Sequence, residues 1–333
     1  MTLFVPADWA HKGGMFPPTA NPSSTNPTAM KSPCSPVRVF FVLMLIATVL
    51  GLAGTTTQSF ASVLGYWRFE NGTNLYLDSS GNGMDLNSSG GTVTSLLLPE
   101  TGAGSHFGPL VPNTGDSNLR GANFGDQAGL LRRTTSTGIL KLTTEFTVEA
   151  FVNVATTSAT GNRYIASRWI SNSTTKECSW SFGVNSAGVL IGRVSADGTA
   201  ATTFNSTLTL TAGVDYYVGF SFDLNNQASG VTFYLQDLNG GELQTKSFAH
   251  SFSTFYGTPN AQFTIGALQG TSASNMEGGW SGLIDEVRLS NTVLTSSQLL
   301  AASIPEPANA GLLMAGLCAA VFLLQSIRRR FRH

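Results

Sequence analysis

Two acidic segments hold the residue types from which a site could be built. One is Leu283-Ile284-Asp285-Glu286-Val287-Arg288-Leu289. The other is Asp78-Ser79-Ser80-Gly81-Asn82-Gly83, with Glu70 just upstream. Alternate residues of a strand share a face. Leu283, Asp285, Val287 and Leu289 are therefore expected on one side of a strand, and Ile284, Glu286 and Arg288 on the other. If the Val287 side is the core, Asp285 is a buried carboxylate, which needs a hydrogen-bonding or cationic partner. Calcium takes carboxylates and loop carbonyls, so one expectation is a structural Ca2+ held by Asp78 and Asp285, with Glu70. The competing expectation is that Asp78 closes an Asx-turn and Asp285 accepts backbone amides.

Catalysis is harder to assemble from these residues. Glycoside hydrolysis needs two carboxyl groups roughly 5–10 Å apart across the scissile bond. Asp285 and Glu286 are adjacent, and in a regular strand they face opposite ways. Glu145 and Glu149 share a face but stand ~13 Å apart at ~3.3 Å per residue. His106 and His250 are isolated, and no Cys/His pairing has metal-ligand spacing. No catalytic residue is expected. Binding is the stronger reading, and a sugar ligand would stack on aromatic rings. Trp169 and Tyr256 are the expected contacts, with Tyr164 and Trp280 as further candidates, against the packing role that most aromatics have in a sandwich.

The elements that position these residues are strands. Short β-branched and aromatic runs alternate with Gly, Asn, Asp and Ser clusters. In FTVEAFV, residues Phe146, Val148, Ala150 and Val152 share a face; in DYYVGFSFD, Tyr216, Val218, Phe220 and Phe222 do. CSWSFGV groups Cys178, Trp180 and Phe182, and VLIGRV pairs back across Asn185 to Gly188. This spacing predicts an all-β antiparallel sandwich over residues 62–302, with one short helical turn near Thr295–Ala302. Cys178 is the sole cysteine there, so about 240 residues must hold together by core burial without an internal disulfide. Between Ser62 and Ile304 the chain has 11 Lys and Arg against 17 Asp and Glu, a net charge of about −6. A nucleic-acid partner is therefore not expected.

The ends specify a route. The apolar run Val39–Leu52 follows Lys31 and Arg38 and leads to Ser59-Phe60-Ala61. That pattern is a secretory signal peptide over residues 30–61, cut between Ala61 and Ser62. Residues 1–29 are Pro/Ser/Asn-rich and fit no such leader; translation is expected to begin at Met30, and the extension is expected to be disordered. Ala308–Ile327 is long and apolar enough to span a bilayer, and Arg328, Arg329, Arg330 and Arg332 after it hold that end on the cytoplasmic side.

Pro305-Glu306-Pro307, the apolar span and the arginine cluster together resemble the PEP-CTERM sorting signal of Gram-negative bacteria, over residues 303–333. The resemblance implies recognition by exosortase, transient inner-membrane anchoring and cleavage near the motif. It further implies residence at the cell surface or outside, among proteins associated with exopolysaccharide and biofilm.

Four stretches of the middle, GYWRFENGTNLYLDSSGNGMDL, LTTEFTVEAFV, VDYYVGFSFD and GGWSGLIDEVRLSNTVLTSSQL, resemble the laminin-G-like, concanavalin A-like jelly roll. Gly91 to Asn118 matches that pattern poorly. The implied role is a non-catalytic, adhesive module that binds an extracellular polysaccharide or a surface glycoprotein. A purely structural matrix protein and a glycoside-active enzyme are the alternatives. N-terminal sequencing of the exported protein is expected to begin at Ser62; a start well before it would overturn the leader assignment.

Overall fold

The computed structural model describes residues 63–98, 105–127, 129–134, 140–156, 160–170, 177–271 and 275–303. The leader, its cut between Ala61 and Ser62, the Pro305-Glu306-Pro307 motif and the span 308–327 lie outside these residues. Among the described residues, no helix is long and apolar enough to cross a membrane.

The strands are, in chain order, β1 (Val63–Trp67), β2 (Ser88–Gly91), β3 (Thr94–Leu97), β4 (Arg120–Asp126), β5 (Gly129–Arg133) and β6 (Glu145–Val154). Next come β7 (Arg163–Trp169), β8 (Cys178–Val184), β9 (Val189–Val194), β10 (Thr202–Thr209), β11 (Asp215–Asp223) and β12 (Val231–Asp237). The last are β13 (Gln244–Phe248), β14 (Phe263–Ile265), β15 (Leu268–Gln269), β16 (Met276–Glu277) and β17 (Ser281–Ser290). A 3-10 turn at Ser296–Gln298 occupies the place of the expected helical turn.

Two antiparallel sheets face each other. The first runs β13-β12-β11-β6-β17-β4-β3, with β1 also on β17; the second runs β10-β9-β8-β7-β14-β5-β2. The alternation expected for β6 and β11 is observed. Phe146, Val148, Ala150 and Val152 point into the core, as do Tyr216, Val218, Phe220 and Phe222. Phe220 stacks on Phe182 of the second sheet with centroids 5.7 Å apart. The backbone there must give way to the ring: a Cβ at Gly192 would stand 2.4 Å from Phe220, so β9 has glycine. Trp67 stacks on Phe263 at 4.6 Å and donates to the Met84 carbonyl, joining β1 to the facing sheet.

Two expected groupings fail, both through a register shift. The β7–β8 ladder slips between Arg168 and Trp169. Trp180 and Phe182 stay in the core, but Cys178 packs instead with Tyr164, Trp169 and Leu268. Burial there raises the Cys178 thiol to about 11. The second shift is in β17, where the register against β6 changes between Asp285 and Arg288, and Glu286 has φ +50°. One extra residue at a bulge inverts the alternation beyond it. Ile284, Val287 and Leu289 therefore share the core, rather than Val287 and Leu289 with Asp285. Asp285 pairs with Phe151 and Arg288 with Glu149 on the opposite, outer face.

That outer face is covered by a third layer. Leu98, Phe107 and Val111 of the poorly matching stretch, and Leu294, Leu299 and Leu300 after β17, pack on Tyr66, Phe151, Tyr217 and Leu283. Glu149 lies fully buried beneath them. Its Oε1 accepts Arg288 Nε at 2.7 Å; its Oε2 accepts the Tyr217 hydroxyl at 2.8 Å and the Leu300 amide at 2.9 Å. One carboxylate thus joins β6, β11, β17 and the covering segment. Removing one partner of a buried pair leaves an uncompensated charge. Glu149→Ala is expected to lower unfolding stability by about 3–5 kcal/mol in urea titration, and Glu149→Gln by less.

Candidate functional site

The bulge places two carboxylates side by side under the covering layer. Asp285 and Glu286 are both fully buried. Glu286 accepts the Tyr66 hydroxyl and the Arg68 Nε, the latter at 3.0 Å. Arg68 also donates to the Ser117 carbonyl at 2.6 Å, so it is held from the loop side. Asp285 is less well served. Its Oδ1 accepts the Glu286 amide at 2.9 Å. The fully buried Asn118 faces it and eases its charge, yet no well-formed bond results: Asp285 Oδ2 and both Asn118 amide atoms lack partners. Burial, and then the neighbouring Glu286 charge, push the Asp285 carboxyl well above the usual range. Burial raises Glu286 to about 7, against the lowering effect of Arg68. The two acids share a side, contrary to the regular-strand expectation, but no surface of either is open to a substrate. His106 and His250 stand apart, on Asp215 and on the Asp223 carbonyl respectively.

The residues proposed for calcium do not fit it as a set. Asp78 Oδ1 accepts the Tyr66 and Ser80 amides, each at 2.9 Å. Its Oδ2 accepts the Ser80 hydroxyl at 2.7 Å and the Met84 amide at 2.8 Å. Four donors occupy the lone pairs a cation would use. Glu70 Oε1 accepts the Leu119 amide at 2.8 Å. Asp285 accepts a backbone amide, as the competing expectation had it. Among the described residues, no group of three or more His, Cys, Asp or Glu side chains is arranged to hold a metal.

Three of the four candidate aromatics, Trp280, Trp169 and Tyr164, are buried, and Tyr256 is half-buried. Trp280 is fully buried and donates to the Leu283 carbonyl at 3.1 Å. Tyr256 is half-buried, its amide bonded to the Ser195 carbonyl just past β9. Trp169 is 3% exposed, so it is no open stacking platform. Its ring carries the Arg193 guanidinium at 4.2 Å, and Arg193 Nη1 reaches the Tyr164 hydroxyl at 3.3 Å. Arg193 is half-buried on the outer face of the second sheet. No local pattern marks it, because only the β7-β8-β9 pairing brings Arg193 to Trp169.

Residues 127–300, just over half of the chain, match the Laminin_G_3 family model of the concanavalin A-like lectin/glucanases superfamily. The chain belongs to that superfamily. No curated protein matches the chain. Among solved structures, it is similar to domain 4 of AbnA, a GH43 extracellular arabinanase from Geobacillus stearothermophilus, solved with arabinotriose. That match has 18% identity and a TM-score of 0.45, covering 73% of this chain and 98% of that one. The binding domain of botulinum neurotoxin serotype C1 is 12% identical with a TM-score of 0.45, covering 71% of this chain and 50% of that one. The CBM40 of the Ruminococcus gnavus IT-sialidase, bound to α2,3-sialyllactose, is 16% identical with a TM-score of 0.36. There the coverage is 49% of this chain and 85% of that one.

The buried acid pair makes stability depend on pH with a definite sign. A carboxyl whose folded pKa is raised stays protonated in the fold while the unfolded chain has already ionised. Stability therefore falls as pH rises from the ordinary carboxylate values near ~4 through about 7 for Glu286 and onward for Asp285. Asp285→Asn keeps the shape and removes one of these charges. It is expected to raise stability at pH 8 by about 1–3 kcal/mol and to flatten the decline measured by thermal melts from pH 4 to 8.

Proposed function

We propose that this domain is a non-catalytic carbohydrate-binding module of an exported protein. The observation that carries the reading is the contrast between the two outer faces. The acid pair on the first sheet is sealed under a third layer. The second sheet presents a half-buried arginine ordered by two aromatic side chains, with the half-buried Tyr256 anchored just past the same strand. Membership of a superfamily described by lectins and glucanases agrees with a carbohydrate ligand.

Export and sorting rest on the terminal sequences. The leader over residues 30–61 directs the domain outward. Pro305-Glu306-Pro307, the span 308–327 and Arg328, Arg329 and Arg330 make exosortase the processing partner. The domain then resides at the cell surface or in the matrix of a Gram-negative-type bacterium. Its ligand there is an extracellular polysaccharide or a surface glycoprotein.

A glycan array with the purified chain tests the binding, and a reducing-end assay on the same glycans tests for turnover. Binding without release of reducing ends is expected. Tyr256→Ala is expected to weaken binding about tenfold, which is about 1.4 kcal/mol. Release of reducing ends would replace this reading with an enzyme; neither binding nor turnover would leave a structural matrix protein.

A further inference from the structure

The outer face of the second sheet presents a guanidinium with no carboxylate of its own. Arg68 is paired with Glu286 and Arg288 with Glu149. Arg168 is sealed in the interior on the Leu140, Pro259 and Ala261 carbonyls. Arg193 forms no ion pair with any described residue. Of the acids near that end of β9, Asp197 is fully engaged by its own turn, while Glu177 is bonded through Oε1 and keeps Oε2 buried without a partner. Asp197 accepts the Thr199 and Ala200 amides and the Thr199 hydroxyl, and Glu177 accepts the Asn260 amide.

A solvated surface arginine would also lack a partner, but it would not be held in place. The Trp169 ring supports the Arg193 guanidinium at 4.2 Å, and the Tyr164 hydroxyl takes one of its hydrogens at 3.3 Å. A guanidinium has five N–H donors in a planar fork, so most of them remain free. Beside it lies an unused polar group. Ser181 is the direct cross-strand partner of Arg193 and therefore shares its face. Its hydroxyl is buried and has no hydrogen-bond partner; nor has that of Ser179, two residues along the same strand. Both serines are fully buried, so their hydroxyls lie beneath the surface that the arginine presents.

The geometry points to Arg193 as the anchor for the carboxylate of an acidic sugar, with Trp169 and Tyr164 positioning its fork. The inference rests on the carbohydrate-binding reading above and narrows it to glycans that contain hexuronate or sialate. Arginine matches a carboxylate with two parallel N–H···O bonds. The domain's net charge of about −6 gives no general attraction for a polyanion. Recognition would therefore depend on this one local cation.

Calorimetric titration of the full chain with oligogalacturonate, its methyl ester, 3′-sialyllactose and lactose tests the assignment. One of the two acidic glycans is expected to bind at least tenfold more tightly than its neutral counterpart. Which one binds identifies the sugar class. Arg193→Gln is expected to abolish that preference, and Arg193→Lys, which keeps the charge but not the fork, to retain only part of it. The ester and lactose comparisons use the unaltered protein, so they decide even if a variant fails to fold. Equal binding of acidic and neutral forms, or a preference unchanged in Arg193→Gln, would overturn the role of Arg193 and leave the carbohydrate reading standing. Binding of no glycan, acidic or neutral, in this titration and on the array would overturn both.

Discussion

The single extra residue at Glu286 is the constraint on which the outer layer depends. It interrupts β17 between the half paired with β4 and the half paired with β1. A non-glycine residue at φ +50° costs on the order of 1–3 kcal/mol. The bonds from Tyr66 and Arg68 to Glu286 offset that cost. In exchange the outer face receives Leu283 and Asp285 before the bulge, and Glu286 and Arg288 after it. Arg288 then meets Glu149, and that pair receives the covering segment through Leu300 and the Gln298 carbonyl. A regular strand would put Val287 and Leu289 on the outside and Glu286 and Arg288 in the inter-sheet core.

This arrangement closes so acidic a segment off from solvent. Its carboxylates are raised by burial rather than poised beside a substrate. Glu149 and Glu286 each have a cation and a tyrosine; Asp285 has one backbone amide and an imperfectly aligned asparagine. The fold therefore holds one weakly satisfied acid at the point where its strand changes register. The same loop that covers it is tied to the tail, since the Asn113 amide donates to the Leu300 carbonyl at 3.0 Å.

The second sheet works by different means. Its inner face is aromatic and continuous with the core. Its outer face carries a small packed cluster of Tyr164, Trp169, Cys178 and Leu268, with the Arg193 guanidinium on the Trp169 ring. Tyr164 and Trp169 share this outer face because the β7–β8 ladder slips between Tyr164 and Ala166, and Cys178 joins them through the second slip between Arg168 and Trp169. The buried acid pair and the Arg193–Trp169 contact thus both sit beside register irregularities, where the side-chain alternation is locally broken.

Much of the framework was legible from the residues alone. Turn clusters between alternating runs implied antiparallel strands, and β6, β11 and the core side of β8 turned their expected faces inward. Asp78 could be read as a turn-closing residue, because an Asx-turn is local chemistry. What the sequence by itself determined was therefore what depends on period and on near neighbours. The bulge, the third layer, the sealing of Asp285 with Glu286 and the seating of Arg193 on Trp169 were decided only by tertiary structure. Each rests on residues far apart in the chain, Tyr66 with Glu286, Glu149 with Leu300, Trp169 with Arg193, and on a one-residue register shift that no local pattern encodes.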